Sequence, residues 1–181
     1  MVRSAVTSAV QDRADSVRIG AAQQSAAFLE LLLLGAWLGS MMFFSFAVAP
    51  SAFAVLPTRE MAGVIVTSTI GKVEIMGLVI GPLLLFLNAV QSKRSRNPAK
   101  TLRIALIVLM VICAALSRFW ISPSMVSLRT AMGGHIDDVA STDPLRVQFN
   151  DLHQYSVGLM GVAIVAGLVS FFLAVRSWLK R

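Results

Sequence analysis

Four long apolar stretches constrain this chain more than any other feature of its sequence. They lie at about residues 28–49, 71–90, 102–121 and 155–178. Each has roughly the 20 apolar residues that an α-helix needs to cross about 30 Å of hydrocarbon. Because lipid offers no partner to an unpaired backbone group, each stretch is expected to be helical. The sequence therefore predicts an all-α fold, a polytopic membrane four-helix bundle that occupies residues 28–181.

The composition agrees with lipid as the solvent of this chain. Of its 181 residues, 56% are hydrophobic and only 14% are charged, whereas soluble domains have about 45–50% and 25%. The net charge of +7 could suit nucleic acid, but the positive residues lie beside the apolar stretches, as the positive-inside rule expects. We therefore predict the lipid bilayer as a partner and no nucleic acid. Cys113, the single cysteine, cannot form an intramolecular disulfide.

The distribution of Lys and Arg predicts the orientation. The segment between stretches two and three is basic and has no acidic residue: Lys93, Arg94, Arg96, Lys100 and Arg103. Both termini are also basic, whereas the segment between stretches three and four holds four of the nine acidic residues. We therefore expect both termini to be cytoplasmic in a bacterial-type inner membrane. Residues 1–27 are read as a cytoplasmic segment that is partly disordered.

Helix signals place two starts outside the apolar stretches. Thr58 and Asp143 are predicted N-caps, and Pro144 suits a first helical position. The first and third stretches are predicted to stop at Pro50 and Pro123. The residues that follow these two prolines read alike, which suggests two tandem two-helix units, as in some transporters.

The second stretch has a stripe of polar and small residues spaced by seven: Thr67, Glu74, Gly81 and Asn88. Residues at this spacing lie on nearly one helix face. Gly77 and Gly81 form a GxxxG pair, which lets a neighbouring helix approach closely. Gly35 and Gly39 are read as a second packing pair. We expect the stripe to face the bundle.

Glu74 is the leading candidate for chemistry, because an intramembrane carboxylate is a functional hypothesis by default. We predict an outer-leaflet polar cluster of Glu74, Arg118, His153 and Lys72. Structural alternatives stand beside it. Glu74 is close in sequence to Lys72 and can simply be hydrated or ion-paired, and Arg118 can extend to the headgroups. Glu30, at the start of the first stretch, is expected at the interface.

Metal or haem binding is a weaker hypothesis, and no cofactor is predicted. His135, Asp137, Asp138 and His153 are the weak metal candidates, with solvation and interfacial hydrogen bonding as their structural alternatives. The sequence has no phosphate-binding loop, catalytic triad or HExxH motif. We therefore expect no enzymatic activity.

Several short motifs resemble one family. They are residues 37–44, Val48-Ala49-Pro50 with Phe53, Leu56-Pro57 and Ala62-Gly63, then Arg118-Phe119 with Ile121, Pro123 and Met125, then Phe149, Leu152-His153 and Ser156. In this order they resemble the transmembrane-protein-205-like domain of unknown function, over roughly residues 28–179. The resemblance implies four membrane helices and no established activity, and singles out Pro50, Arg118, Pro123 and His153 as motif positions. Gly158 and Met160-Gly161 depart from the polar residue expected there.

Three functional hypotheses follow from the sequence. The first is a small transport- or efflux-related or accessory membrane factor. The second is a haem- or metal-binding redox subunit that uses His153. The third is a structural subunit of a larger membrane complex. We also expect a homo-oligomer or a complex, because four helices with one buried carboxylate are few for a transporter that works as a monomer.

Overall fold

Four long helices make up almost all of the structure, a computed structural model that describes residues 24–90, 98–134 and 136–179. We name them α1 (Gln24–Val55), α2 (Arg59–Val90), α3 (Pro98–Ala131) and α4 (Pro144–Trp178). A short 3-10 helix, Ile136–Asp138, lies between α3 and α4. All four are long and apolar enough to span a membrane, and the described residues contain no strand. The prediction of an all-α four-helix membrane bundle is confirmed.

Some sequence predictions fall on residues that the structure does not describe. These are the predictions for residues 1–23, for His135, for Lys93, Arg94 and Arg96 in the basic segment, and for the last two residues of the tail.

Both predicted N-caps are present. The Asp143 side chain accepts a hydrogen bond of 2.8 Å from the Leu145 N–H, and Pro144 follows at the first helical position. The Thr58 hydroxyl oxygen accepts one of 3.2 Å from the Met61 N–H. Such side chains satisfy donors that the first helical turn leaves unpaired. These caps place the starts of α2 and α4 well before the apolar stretches of the two helices begin.

The prediction that two helices stop at Pro50 and Pro123 is wrong. Both α1 and α3 continue through the proline, to Val55 and Ala131. In each helix a π-helical turn precedes the proline, Phe44–Val48 in α1 and Ser117–Ile121 in α3. A proline in an α-helix lacks a donor and clashes with the carbonyl four residues back. The wider π turn relieves that conflict, so the helix continues at a local distortion.

The two halves of the chain, α1–α2 and α3–α4, resemble each other in their helix contacts as well as in the π-helical turns. Gly81 of α2 and Gly167 of α4 are both buried, and a Cβ atom at either would meet side chains of both α1 and α3. The neighbours are Trp37 and Val111 for Gly81, and Leu38 and Met110 for Gly167. Counted back from the two prolines, Trp37 corresponds to Met110 and Leu38 to Val111. Gly81 and Gly167 therefore pack against corresponding pairs of positions. Where Gly81 meets a residue of α1, Gly167 meets the corresponding residue of α3, and the reverse also holds.

The core lies between the four helices. It is built from buried apolar side chains, among them Leu34, Trp37, Leu84, Ile107 and Met110. The outward faces carry exposed large apolar side chains all along the helices, as expected of surfaces that contact lipid rather than water. Polar side chains buried in such a bundle need an explanation, because each is costly without a partner.

One end of the bundle holds the two connections, residues 56–58 and 132–143, and we call it the hairpin end. There the α3 extension packs between its neighbours. The Arg129 guanidinium lies 5.8 Å from the centroid of the Phe149 ring on α4. A Cβ atom at Gly63 on α2 would come within 2.8 Å of Arg129 Nη2. The opposite end, where α1 begins and α2 ends, we call the Glu30 end.

Candidate functional site

Glu74 is a carboxylate buried inside a membrane-spanning helix. It lies on α2, and only 3% of its surface is exposed. Its Oε1 atom accepts a hydrogen bond of 2.5 Å from the Ser117 hydroxyl and one of 3.3 Å from Ser122. Both serines belong to α3, one at each edge of its π-helical turn. The distortion caused by the proline thus presents two hydroxyl donors to one carboxylate oxygen.

The other carboxylate oxygen of Glu74 has no such partner. Oε2 is buried and makes no hydrogen bond within the described residues. Glu74 lines a small cavity of about 20 Å³ between the four helices. Ser117 of α3 and Ser156 of α4 provide further polar lining, and the rest is apolar or sulfur-containing: Trp37, Met41, Val73, Met110, Cys113, Ala114, Leu159, Met160 and Ala163.

The structure does not gather the four predicted members of the polar cluster. Lys72 and His153 are exposed on α2 and α4, and neither lines the cavity. Arg118 is half-buried on the π-helical turn of α3. The described residues contain no ion pair within 4.0 Å between Arg118 and Glu74. The partners that the structure gives Glu74 are serines, which the sequence reading did not single out on α3.

The two glycine pairs have different surroundings. A Cβ atom at Gly77 would lie 2.6 Å from the Trp37 ring, and one at Gly81 would strike the Val111 side chain. This pair packs against α1 and α3 of the same chain, so the predicted stripe does face the bundle. Gly35 approaches only Phe171, at 3.5 Å, and a Cβ atom at Gly39 would meet nothing within 4 Å. Gly39 therefore makes no close helix contact with the part of the chain that the structure describes.

A second buried polar cluster lies at the Glu30 end, where the sequence predicted an interfacial Glu30. Glu30 is only 2% exposed and is buried among the helices; its depth relative to a membrane stays a prediction. Arg103 Nη2 of α3 lies 2.8 Å from Glu30 Oε1 and donates a 2.6 Å hydrogen bond to Asn88 Oδ1. Asn88 Nδ2 donates to Glu30 Oε1 at 2.7 Å and to the Leu84 carbonyl at 2.9 Å. We call Glu30, Asn88 and Arg103 the inner triad.

A signal for the inner triad exists in the sequence. Counted back from Pro50 and Pro123, Glu30 and Arg103 occupy corresponding positions of the two halves. Residues at corresponding positions of two related halves can meet where the halves pack together, and here they have opposite charges. Asn88 belongs to the same stripe as Glu74. The basic segment that predicts the orientation includes Arg103, so its charge by itself does not indicate a pairing with Glu30.

The weak metal candidates that the structure describes do not form a group of metal ligands. Asp137 and Asp138 are exposed, and Asp137 Oδ1 lies 3.8 Å from Arg146 Nη2. Arg146 also donates to the Val139 carbonyl. His153 is exposed on α4. Within the described residues, His135 being outside them, no three His, Cys, Asp or Glu side chains group as metal ligands.

Comparison with known proteins identifies the family. A domain described as "Domain of unknown function (DUF4149)" matches residues 32–133, more than half of the chain. The chain belongs to the DUF4149 family. The match covers most of α1, all of α2 and α3, and both proline motifs, so the Glu74 site apart from its α4 lining lies within the DUF4149 region. Neither curated proteins nor solved structures give a significant match. The resemblance to the transmembrane-protein-205-like domain stays a prediction, as does the likeness of the fourth span.

Proposed function

We propose that this DUF4149 protein is a small transport-related membrane factor that works through Glu74. One observation carries the proposal: a carboxylate within a membrane span is buried beside a cavity, and one of its two oxygens has no hydrogen-bond partner among the described residues. A buried polar group without a partner is costly, so its presence in a membrane helix calls for a role. The cavity also lies between all four helices, where relative movement of the two halves would change its access.

The proposal includes the membrane and the orientation. The hairpin end faces outward and the Glu30 end faces the cytoplasm, in a bacterial-type inner membrane. The support is the positive-inside distribution of Lys and Arg in the sequence. We further propose that the protein is not an enzyme, and that it works as a homo-oligomer or as a subunit of a membrane complex.

The redox alternative has less support. It requires His153 as a haem or metal ligand, and that side chain is exposed on α4. An absorption spectrum and elemental analysis of the purified protein test this alternative. A Soret band or a stoichiometric metal that is lost in His153→Ala would replace the transport proposal by the redox one.

The transport proposal is tested by complementation. A strain without the gene receives the wild type, Glu74→Gln or Glu60→Gln, and its growth is screened across pH, salts, metal ions and toxic organic cations. Glu60 is the matched control because it is an exposed carboxylate at the start of the same helix. We expect Glu74→Gln to lose a rescue that Glu60→Gln keeps at equal protein level. If Glu74→Gln rescues everything that the wild type rescues, the proposal fails.

A further inference from the structure

The Glu74 cavity is too small for an organic solute. Its volume of about 20 Å³ exceeds the roughly 10–15 Å³ that one water molecule requires, and drug-sized ligands need pockets of about 300 Å³ or more. A metal ion stripped of its water would need several oxygen ligands. The polar groups that line the cavity are Glu74, Ser117 and Ser156. The size and the lining therefore suit one water molecule.

Water bound in a protein needs two to four polar partners. Glu74 Oε2 is an acceptor buried without a partner, and Ser156 approaches the same cavity from α4. Ser117 lies on the third side, with its hydroxyl already donated to Oε1. A water in the cavity would satisfy Oε2 and connect α2 with α4, which no described hydrogen bond or salt bridge does.

We propose that this cavity binds a single water molecule and that Glu74 takes up and releases a proton through it. This deepens the proposed function and rests on it, because it names the proton as the species that the Glu74 site handles. When a hydronium ion enters the cavity, one of its O–H bonds breaks and an O–H bond forms on Oε2. A neutral water remains beside the carboxylic acid, and release is the reverse step.

The groups around Glu74 agree with a proton site. Cys113 of α3 lines the cavity as a buried thiol, and Arg118, half-buried on the π-helical turn of the same helix, is outside the lining. On α4, His153 and Tyr155 are exposed and outside the lining, as is Lys72 on α2. The α1 lining residues, Trp37 and Met41, do not titrate. Among the described residues, Glu74 is thus the only carboxylate that lines this cavity.

Infrared difference spectroscopy of the protein in lipid nanodiscs tests the proposal. A pH change is expected to produce one carboxylic-acid C=O band that is lost in Glu74→Gln and kept in Glu60→Gln. Oxygen-18 water is expected to shift a bound-water O–H band. Ser156→Leu, which fills the cavity, should remove the bound-water band and shift the C=O band. The control Ser124→Ala, which lies outside the cavity, should change neither band.

Three results would overturn the proposal. They are a wild type without a pH-dependent C=O band, a band that survives in Glu74→Gln, and a carboxylate signal that responds to sodium or potassium ions at fixed pH. The outcome is separable from the transport test. If the band is present but Glu74→Gln keeps every rescue, the transport proposal fails and the proton site stands. If the rescue is lost without any band, transport through Glu74 stands and the proton site fails.

Discussion

Two carboxylates are buried in the part of the chain that the structure describes, with almost the same exposure and opposite surroundings. Glu30 lies in the inner triad, where an arginine and an amide contact its Oε1 atom. Glu74 lies beside a cavity, with two serines on one oxygen and no described residue hydrogen-bonded to the other. A buried charge with an oppositely charged partner can join helices and remain ionised, whereas a buried carboxylate without such a partner is suited to change its protonation state. Burial alone therefore does not indicate function. The partners of a buried carboxylate distinguish a structural role from a functional one.

The largest expected effect concerns the inner triad. Arg103→Met leaves the Glu30 charge buried without its partner, so the free energy of unfolding should fall by about 3–5 kcal/mol. Adding Glu30→Leu removes the stranded charge and should restore most of that loss. Denaturant unfolding in mixed micelles measures both variants. A double variant no more stable than Arg103→Met would show that the pair is not coupled, and the contrast with Glu74 would lose its basis.

A smaller loss is expected where α2 meets the cavity wall. Gly77→Ala would place a Cβ atom 2.6 Å from the ring of Trp37, a rigid buried side chain that also lines the cavity. Overpacking of this kind costs about 1–3 kcal/mol. Gly158→Ala is the control, since a Cβ atom there would meet nothing within 4 Å. Equal unfolding free energies for the two variants would contradict the close α1–α2 packing.

The hydrogen bond that α3 gives to Glu74 should have a moderate effect. Ser117→Ala removes the shorter of the two serine contacts and should lower the unfolding free energy by about 1–2 kcal/mol. Ser124→Ala is matched, because that hydroxyl donates to the Trp120 carbonyl of its own helix. The same unfolding titration compares them. If Ser117→Ala costs no more than Ser124→Ala, the bond to Glu74 contributes nothing to stability.

The smallest effect on stability is expected for Glu74→Gln. Glutamine keeps an acceptor oxygen for Ser117 and removes a buried ionisable group, so the change should be under about 1 kcal/mol. Glu30→Gln should cost several times more, because it leaves Arg103 without its anionic partner. Thermal unfolding of the two variants, side by side, gives the comparison. If Glu74→Gln unfolds as readily as Glu30→Gln, Glu74 is a structural carboxylate like Glu30.

Much of the candidate site could be predicted from the stripe on α2. The spacing of Glu74, Gly81 and Asn88 placed all three on the buried face, since helix periodicity is a local property. Which partner each of them meets could not be read from that spacing. Asn88 meets an ion pair and Glu74 meets two serines, because helix rotation and register decide which residues of α1 and α3 lie opposite.

By itself the sequence determined the four helices, the capped starts of α2 and α4 and the buried face of α2, because hydrocarbon thickness, backbone pairing and helix periodicity act within one segment. Only the tertiary structure decided that α1 and α3 continue through Pro50 and Pro123 and that Glu30 pairs with Arg103. It also decided that Oε2 of Glu74 has no hydrogen-bond partner among the residues that the structure describes. These features depend on contacts between segments far apart in the chain, and such contacts arise only when the helices pack.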